Sequence, residues 1–277
     1  MSLVRIAHLS DPHFGQLNPG VDDAMLRCLR RLTPDMVLIS GDITQRARRS
    51  QFLAARAFME NLKPILTFAI PGNHDIPLEN LPLRFIAPYR GFHRYFQSRR
   101  EAQFTFGDVS VTGLNSTSRW RHVQGELSLE RIRPPLERSS KESRIRVVSI
   151  HHPMDCAKHV DEKNLIKNRD EVAQLLAETK TDLILSGHIH DPYVELSTQR
   201  YPEVQRSMII SVAGTSLSSR TRAGAPNSFN WIEIGAGTHD TIQLTRMDLA
   251  ADGEFKPVEK KPDRFLKKES GGWSRFD

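Results

Sequence analysis

The chain has 277 residues, 38% apolar, 26% charged and 7% aromatic, an ordinary globular composition that excludes collagen-like, coiled-coil and disordered chains. Its 39 Lys and Arg outnumber 33 Asp and Glu, and the net charge of +6 biases the surface toward nucleic acid, anionic lipid or small phosphates. Only two cysteines are present, Cys28 and Cys156, which excludes a disulfide scaffold and a thiolate zinc cage and fits a reducing compartment, with the cytoplasm as the expected location.

Short apolar runs alternate with amphipathic ones through the first two thirds of the chain. Residues 4–9 read as a strand and 21–32 as a helix, with Val21, Met25, Leu29 and Leu32 at helical spacing; a strand at 36–40, a helix at 50–62 and a strand at 65–70 follow. Strands at 103–106 and 109–114, joined at Gly107-Asp108 as a hairpin, precede a helix at 128–136, a strand at 146–150, a helix at 168–178 and a strand at 183–186. Beyond Tyr193 the pattern is all-β, with strands at 194–196, 208–213, 229–234 and 241–247. This rhythm is that of an α/β protein with a largely parallel or mixed sheet and helices on its faces. Residues 1–248 read as one domain. Residues 249–277, which carry Lys256, Lys260, Lys261, Arg264, Lys267 and Lys268, read as a basic C-terminal tail expected to be solvated. No apolar stretch reaches the roughly 18 residues of a spanning helix, and no secretory leader is expected from the opening residues.

The residues with chemistry sit where the strands stop. They are Ser10-Asp11-Pro12-His13, Gly41-Asp42, Pro71-Gly72-Asn73-His74-Asp75, His151-His152-Pro153 and Gly187-His188-Ile189-His190. Taken singly, an Asp-x-His or a Gly-Asp is an ordinary turn or helix cap. Five such pieces in succession, each just past an apolar strand, converge on the crevice at the carboxyl edge of an α/β sheet. Oxygen and imidazole donors gathered there read as a metal site. On an extended chain, residues two apart face the same side, so Asp11 and His13 are expected to grip one ion together, and His188 and His190 have the same spacing.

This series resembles the calcineurin-like metallophosphoesterase superfamily, from Leu3 to about Met247. Its Leu-Ser-Asp-Pro-His-Phe opening, Gly-Asp-Ile-Thr and Pro-Gly-Asn-His-Asp resemble in particular the bacterial class III cyclic-nucleotide phosphodiesterases and glycerophosphodiesterases. The resemblance implies a two-sheet mixed β-sandwich flanked by helices, with a dinuclear metal site at the carboxyl ends of the strands. It implies one ion on Asp11, His13 and His190, a second on Asn73, His151 and His188, and Asp42 bridging both. His74 is then the catalytic histidine that is not a ligand, beside the leaving oxygen, and Asp75 is expected to orient it. A carboxylate has the two oxygens that a bridge needs, and donors without thiolate suit Mn, Fe or Zn. Two divalent ions against two carboxylates and a bridging hydroxide leave a positive core that attracts phosphate, and attack by that hydroxide is the implied reaction.

The expected activity is a phosphodiesterase acting on a cyclic nucleotide or a small glycerophosphodiester. The alternative is a phosphomonoesterase or a nucleotide-lipid pyrophosphatase; a nuclease ranks behind these, and a non-enzymatic metal-stabilised module last. A small phosphoester is the expected partner, nucleic acid is disfavoured and a homodimer is allowed. Residues 81–100 interleave Arg84, Arg90, Arg94, Arg99 and Arg100 with Phe85, Tyr89, Phe92, Tyr95 and Phe96. They form either a rim beside the metals or an amphipathic connection with its rings in the core. Arg220 and Arg222 lie in a Ser/Thr/Gly-rich loop that is either a second rim or an ordinary basic hairpin, and Cys156 reads as a buried inert thiol.

Overall fold

The computed structural model describes residues 2–96, 102–222, 225–258 and 261–276; Arg99, Arg100 and Lys260 lie outside the described residues. Strand β1 (Ser2–Leu9), helix α1 (Val21–Leu32), β2 (Met36–Ile39), α2 (Arg49–Glu60) and β3 (Leu66–Ala69) form the opening unit. Helix α1 takes its place readily: its buried stripe includes Val21, Met25, Cys28 and Leu29, and Asp22 and Asp23 at its start oppose Arg30 and Arg31 at its end, as the helix dipole favours. Short helices α3 (Leu81–Ile86) and α4 (Arg90–Tyr95) lead to β4 (Ala102–Phe106), β5 (Val109–Gly113), α5 (Leu129–Glu142), β6 (Ile145–Ser149), α6 (Arg169–Glu178), β7 (Leu183–Ser186), β8 (Tyr193–Leu196) and β9 (Ile209–Val212). The chain then returns with β10 (Ser228–Ala236), β11 (Thr241–Leu249), β12 (Phe255–Pro257), β13 (Asp263–Lys267) and β14 (Trp273–Phe276).

One sheet runs β14-β13-β11-β10-β1-β2-β3, with β12 paired to β11, and the other β4-β5-β6-β7-β9-β8. Strands β1, β2 and β3 are parallel to one another, as are β5, β6, β7 and β9, while the outer pairings are antiparallel. The alternation of side chains sorts each strand into two layers. Ile6, Leu38 and Phe68 face the second sheet and meet Val111, Val147 and Leu185 in a shared core. Ala7, Val37 and Ile39 face the other way, onto Met25 and Leu29 of α1 and Phe52 and Phe58 of α2. Val148 and Ile184 likewise face Ile132 and Leu136 of α5 and Val172 and Leu176 of α6. The architecture is the two-sheet mixed α/β sandwich flanked by helices that the resemblance implied.

One expectation is corrected, and one open alternative is decided. The residues set apart as a solvated basic tail supply β12, β13 and β14, and Phe255, Phe265 and Trp273 from them are fully buried. Period-two alternation puts Lys256 and Arg264 outside and the rings of Phe255 and Phe265 beside them inside, which a count of charges conceals. In residues 81–96 the rings are largely core: Phe92 is buried, Tyr95 stacks on Phe52 at 5.6 Å, and the Tyr89 hydroxyl donates to the Thr117 carbonyl at 3.0 Å. Arg84 is buried too, its guanidinium donating to the carbonyls of Arg119 and Arg121 at 2.8 and 2.9 Å, so its charge holds a turn instead of facing a ligand.

Candidate metal centre

Strands β1, β2 and β3 of one sheet and β6 and β7 of the other deliver their carboxyl ends to one crevice. The five motif loops come from both sheets, where a single open sheet was expected on spacing alone. Asp11, His13, Asp42, Asn73, His74, His151 and His190 are all buried there. The backbone reaches them under strain: Asp11 (φ 50°), His13 (46°), Asp42 (50°), His188 (72°) and His190 (58°) are all left-handed. Non-glycine residues avoid this region, and its use at five donor positions marks a site where function outweighs local comfort. Asp11 and His13 therefore come together through a turn, not through the extended spacing expected of them. Gly41 (φ 97°) lies against the His151 ring, and at Gly187 a Cβ would collide with the Ser10 hydroxyl and the Asp11 carboxylate, so neither position admits a side chain.

The donors fall into two sets. In the first, Nε2 of His190 is 3.2 Å from Asp11 Oδ1 and 3.1 Å from Nε2 of His13. In the second, Nε2 of His151 is 3.0 Å from Asn73 Oδ1 and 3.3 Å from Asp42 Oδ1, and the His188 ring stands 5.1 Å from the His151 ring. Asp42 lies between the sets, Oδ1 facing His151 and Oδ2 facing His13 at 3.8 Å. His74 makes a third close set with His13 and Asp42, its Nε2 3.9 Å from Asp42 Oδ2.

These donors fit cations. A backbone carbonyl only accepts, so Nδ1 of His190, 2.7 Å from the Arg220 carbonyl, and Nδ1 of His151, 2.7 Å from the Ser40 carbonyl, each carry the hydrogen. In the neutral rings each Nε2 then turns a lone pair toward carboxylate, amide oxygen or a second imidazole. Burial disfavours the charged form of His151, yet Asp42 beside it pushes that ring up to about 9, and a bound cation would replace the proton. Acceptors facing acceptors repel unless a cation lies among them. Asp11 Oδ1 and both ring nitrogens of His188 are buried without a hydrogen-bond partner, the signature of atoms reserved for something else. Burial pushes the rings of His13 and His188 down to about 3, which keeps them neutral and able to ligate. Burial opposes ionisation of Asp42, yet His151 and His74 beside it hold its carboxyl well below the usual range.

A family model described as calcineurin-like phosphoesterase matches residues 4–192, which contain every residue of the cluster. The chain belongs to the calcineurin-like phosphoesterase family. A curated relative, a probable cyclic nucleotide phosphodiesterase of Synechococcus sp., is 24% identical over 170 residues, matching 60% of this chain and 62% of its own length. The chain thus spans about three fifths of that relative. Among solved structures the fold is shared with a dimetal phosphatase from Danio rerio, at TM-score 0.64 and 14% identity over 92% of this chain and 98% of that one. A purple acid phosphatase from yellow lupin (Lupinus luteus) seeds has TM-score 0.64 and 15% identity over 92% and 53% of the two chains. At these identities the likeness is one of fold.

Several contacts of this calcineurin-like phosphoesterase were not foreseen. Asp75 does not touch the His74 ring; it accepts from the backbone N–H groups of Ile43, Thr44 and Gly72 at 2.8–3.1 Å, and so splices the Asp42 and Asn73 loops together. The Gln45 carbonyl orients His74 instead, 2.9 Å from Nδ1. His152 packs beside His188, with ring centroids 4.6 Å apart, and its Nδ1 is 2.9 Å from the Ser116 hydroxyl. Carbonyls of Ser40, Gln45 and Arg220 leave no trace in residue identity, so no sequence signal could have found them. His152 did carry a signal, as half of a His-His pair.

Proposed function

We infer that this chain is a metal-dependent phosphoester hydrolase that prefers diesters. The observation that carries the reading is the Asp42 carboxylate set between two buried donor sets, one oxygen turned to each. In this reading Asp11, His13 and His190 hold one divalent ion, Asn73, His151 and His188 hold the other, and Asp42 serves both. Bound there, such a pair supplies an activated water and countercharge for phosphoryl oxygens. The protein holds the donors ready: carbonyls of Arg220 and Ser40 keep His190 and His151 in the ligating tautomer. His74, with its Nδ1–H given to Gln45, presents Nε2 to the centre, where a proton on that atom passes to the leaving alkoxide. Imidazole, amide and carboxylate donors suit Mn, Fe or Zn. The diester preference draws support from the description of the Synechococcus relative, and a cyclic nucleotide or small glycerophosphodiester is the substrate class we favour.

Elemental analysis of Mn²⁺-loaded protein is expected to find two ions per chain. Assays on cyclic AMP, a glycerophosphodiester, a simple diester, a monoester and single-stranded DNA are expected to show diester turnover above monoester turnover. Monoester hydrolysis far in excess would overturn the preference, and no turnover with metals bound would overturn the hydrolase. His74→Ala is expected to retain both ions and lose about 10²–10⁴-fold in turnover. Metal loss in that variant would make His74 a ligand.

A further inference from the structure

Residue Arg220 sits past the carboxyl end of β9, outside the span matched by the family model. Its loop is fixed to the β1 loop: the Ser216 N–H donates to the Ser10 carbonyl at 2.9 Å and the Thr215 hydroxyl to the Asp11 carbonyl at 2.6 Å. Asn227 donates to the Ser218 carbonyl at 2.8 Å, and the Ser218 hydroxyl accepts from the Arg220 N–H at 3.1 Å. The half-buried side chain is therefore launched from an anchored backbone.

Its guanidinium turns inward. Nη1 lies 3.3 Å from His74 Nε2, 3.5 Å from His13 Nε2 and 3.3 Å from Gln45 Oε1. Among the described residues no carboxylate lies within ion-pair distance of it. Under the proposed function the His13 lone pair belongs to a cation, so a permanently charged guanidinium beside it faces a second positive charge. Two such charges at this separation repel, and an anion placed between them would be favoured.

Resting on the hydrolase reading, we propose that Arg220 is a substrate-binding residue whose guanidinium grips a phosphoryl oxygen from the side opposite the ions. The same residue's carbonyl fixes the His190 tautomer. One loop thus couples the readiness of a donor to the capture of the anion. A planar guanidinium offers paired donors to phosphate where an ammonium offers a point charge.

Inorganic phosphate titrated calorimetrically into Mn²⁺-loaded protein, with metal content measured alongside, tests this. Arg220→Met, which keeps the length of the stem, is expected to weaken phosphate binding by about 10-fold or more at unchanged metal content. Arg220→Lys should fall between that variant and the parent. Phosphate affinity in Arg220→Met equal to the parent's would overturn the proposal. So would loss of metal in that variant, because the side chain would then be a prop for the donor histidines. The phosphate isotherm needs no turnover: a parent that binds phosphate through Arg220 but hydrolyses none of the test esters would sink the hydrolase reading and leave this one standing.

Discussion

Asp182 immediately precedes β7, while His188, just past the other end of the same strand, gives its N–H to Asp11 at 2.8 Å. Both carboxylates are fully buried. Asp182 is saturated with donors: the Arg146 N–H and Nε at 2.9 Å each, Arg206 Nη2 at 2.6 Å, Trp273 Nε1 at 2.9 Å and Lys267 Nζ at 3.3 Å. Asp11 Oδ1 has no hydrogen-bond donor and faces imidazole lone pairs. A buried charge with all its partners is a fastening, and one left short of partners is a site held open against its own desolvation cost. The backbone divides in the same way. Left-handed donors crowd the carboxyl end of the strand, and among the described residues Asp182 and its partners are not among the non-glycine residues of positive φ.

The sharpest break of this contrast is Asp42→Asn. It keeps the shape but removes the charge that serves both donor sets, and turnover is expected to fall by about 10³-fold or more. The melting temperature should fall only slightly, since the amide keeps an oxygen for the His74 N–H and loses only the ionised form that His151 and His74 favour. A clear drop in melting temperature would show that Asp42 is a fastening like Asp182. Asp182→Asn is the converse. It takes the countercharge from buried Arg146 and partly buried Arg206, leaving Lys267 only Asp240, and unfolding free energy is expected to fall by about 3–5 kcal/mol. Turnover per folded molecule should be unchanged at temperatures well below the melt, because the change lies at the far end of the strand. Loss of turnover at full folding would mean that the two ends communicate through β7.

The two ends were unequally legible in the sequence. At the carboxyl end each donor follows a short apolar run and sits in a compact local motif, so Asp11, Asp42, Asn73 and His151 announced themselves in order, and the fold came with them. The other end has no local signature. Asp182 meets partners at positions 146, 206, 267 and 273, and nothing near Asp182 in the chain predicts them. The basic tail misled for a related reason: Lys267 reads as a solvated charge, yet its ammonium lies 3.3 Å from Asp182 and its strand buries Phe265. Arg220 was visible as a candidate in a basic loop, but only the structure shows which way it points.

The smallest expected effect tests how the C-terminal strands belong to the fold. Trp273 is fully buried in the sandwich core, gives its indole N–H to Asp182, and exchanges backbone hydrogen bonds with the Ser207 hydroxyl at 2.6–2.7 Å. Trp273→Phe keeps a ring in the core and deletes one donor among several, so about 1 kcal/mol of stability should be lost, read as an earlier midpoint in urea. Combined with Asp182→Asn, the loss should be less than the sum, since Asp182→Asn already weakens, by removing its charge, the acceptor whose hydrogen bond Trp273→Phe deletes. Strict additivity would separate Trp273 from Asp182 and leave β14 held by β13 and the Ser207 hydroxyl. A shared loss would mean that the last strand of the chain locks the start of β7, leaving the strand's other end free to carry strain.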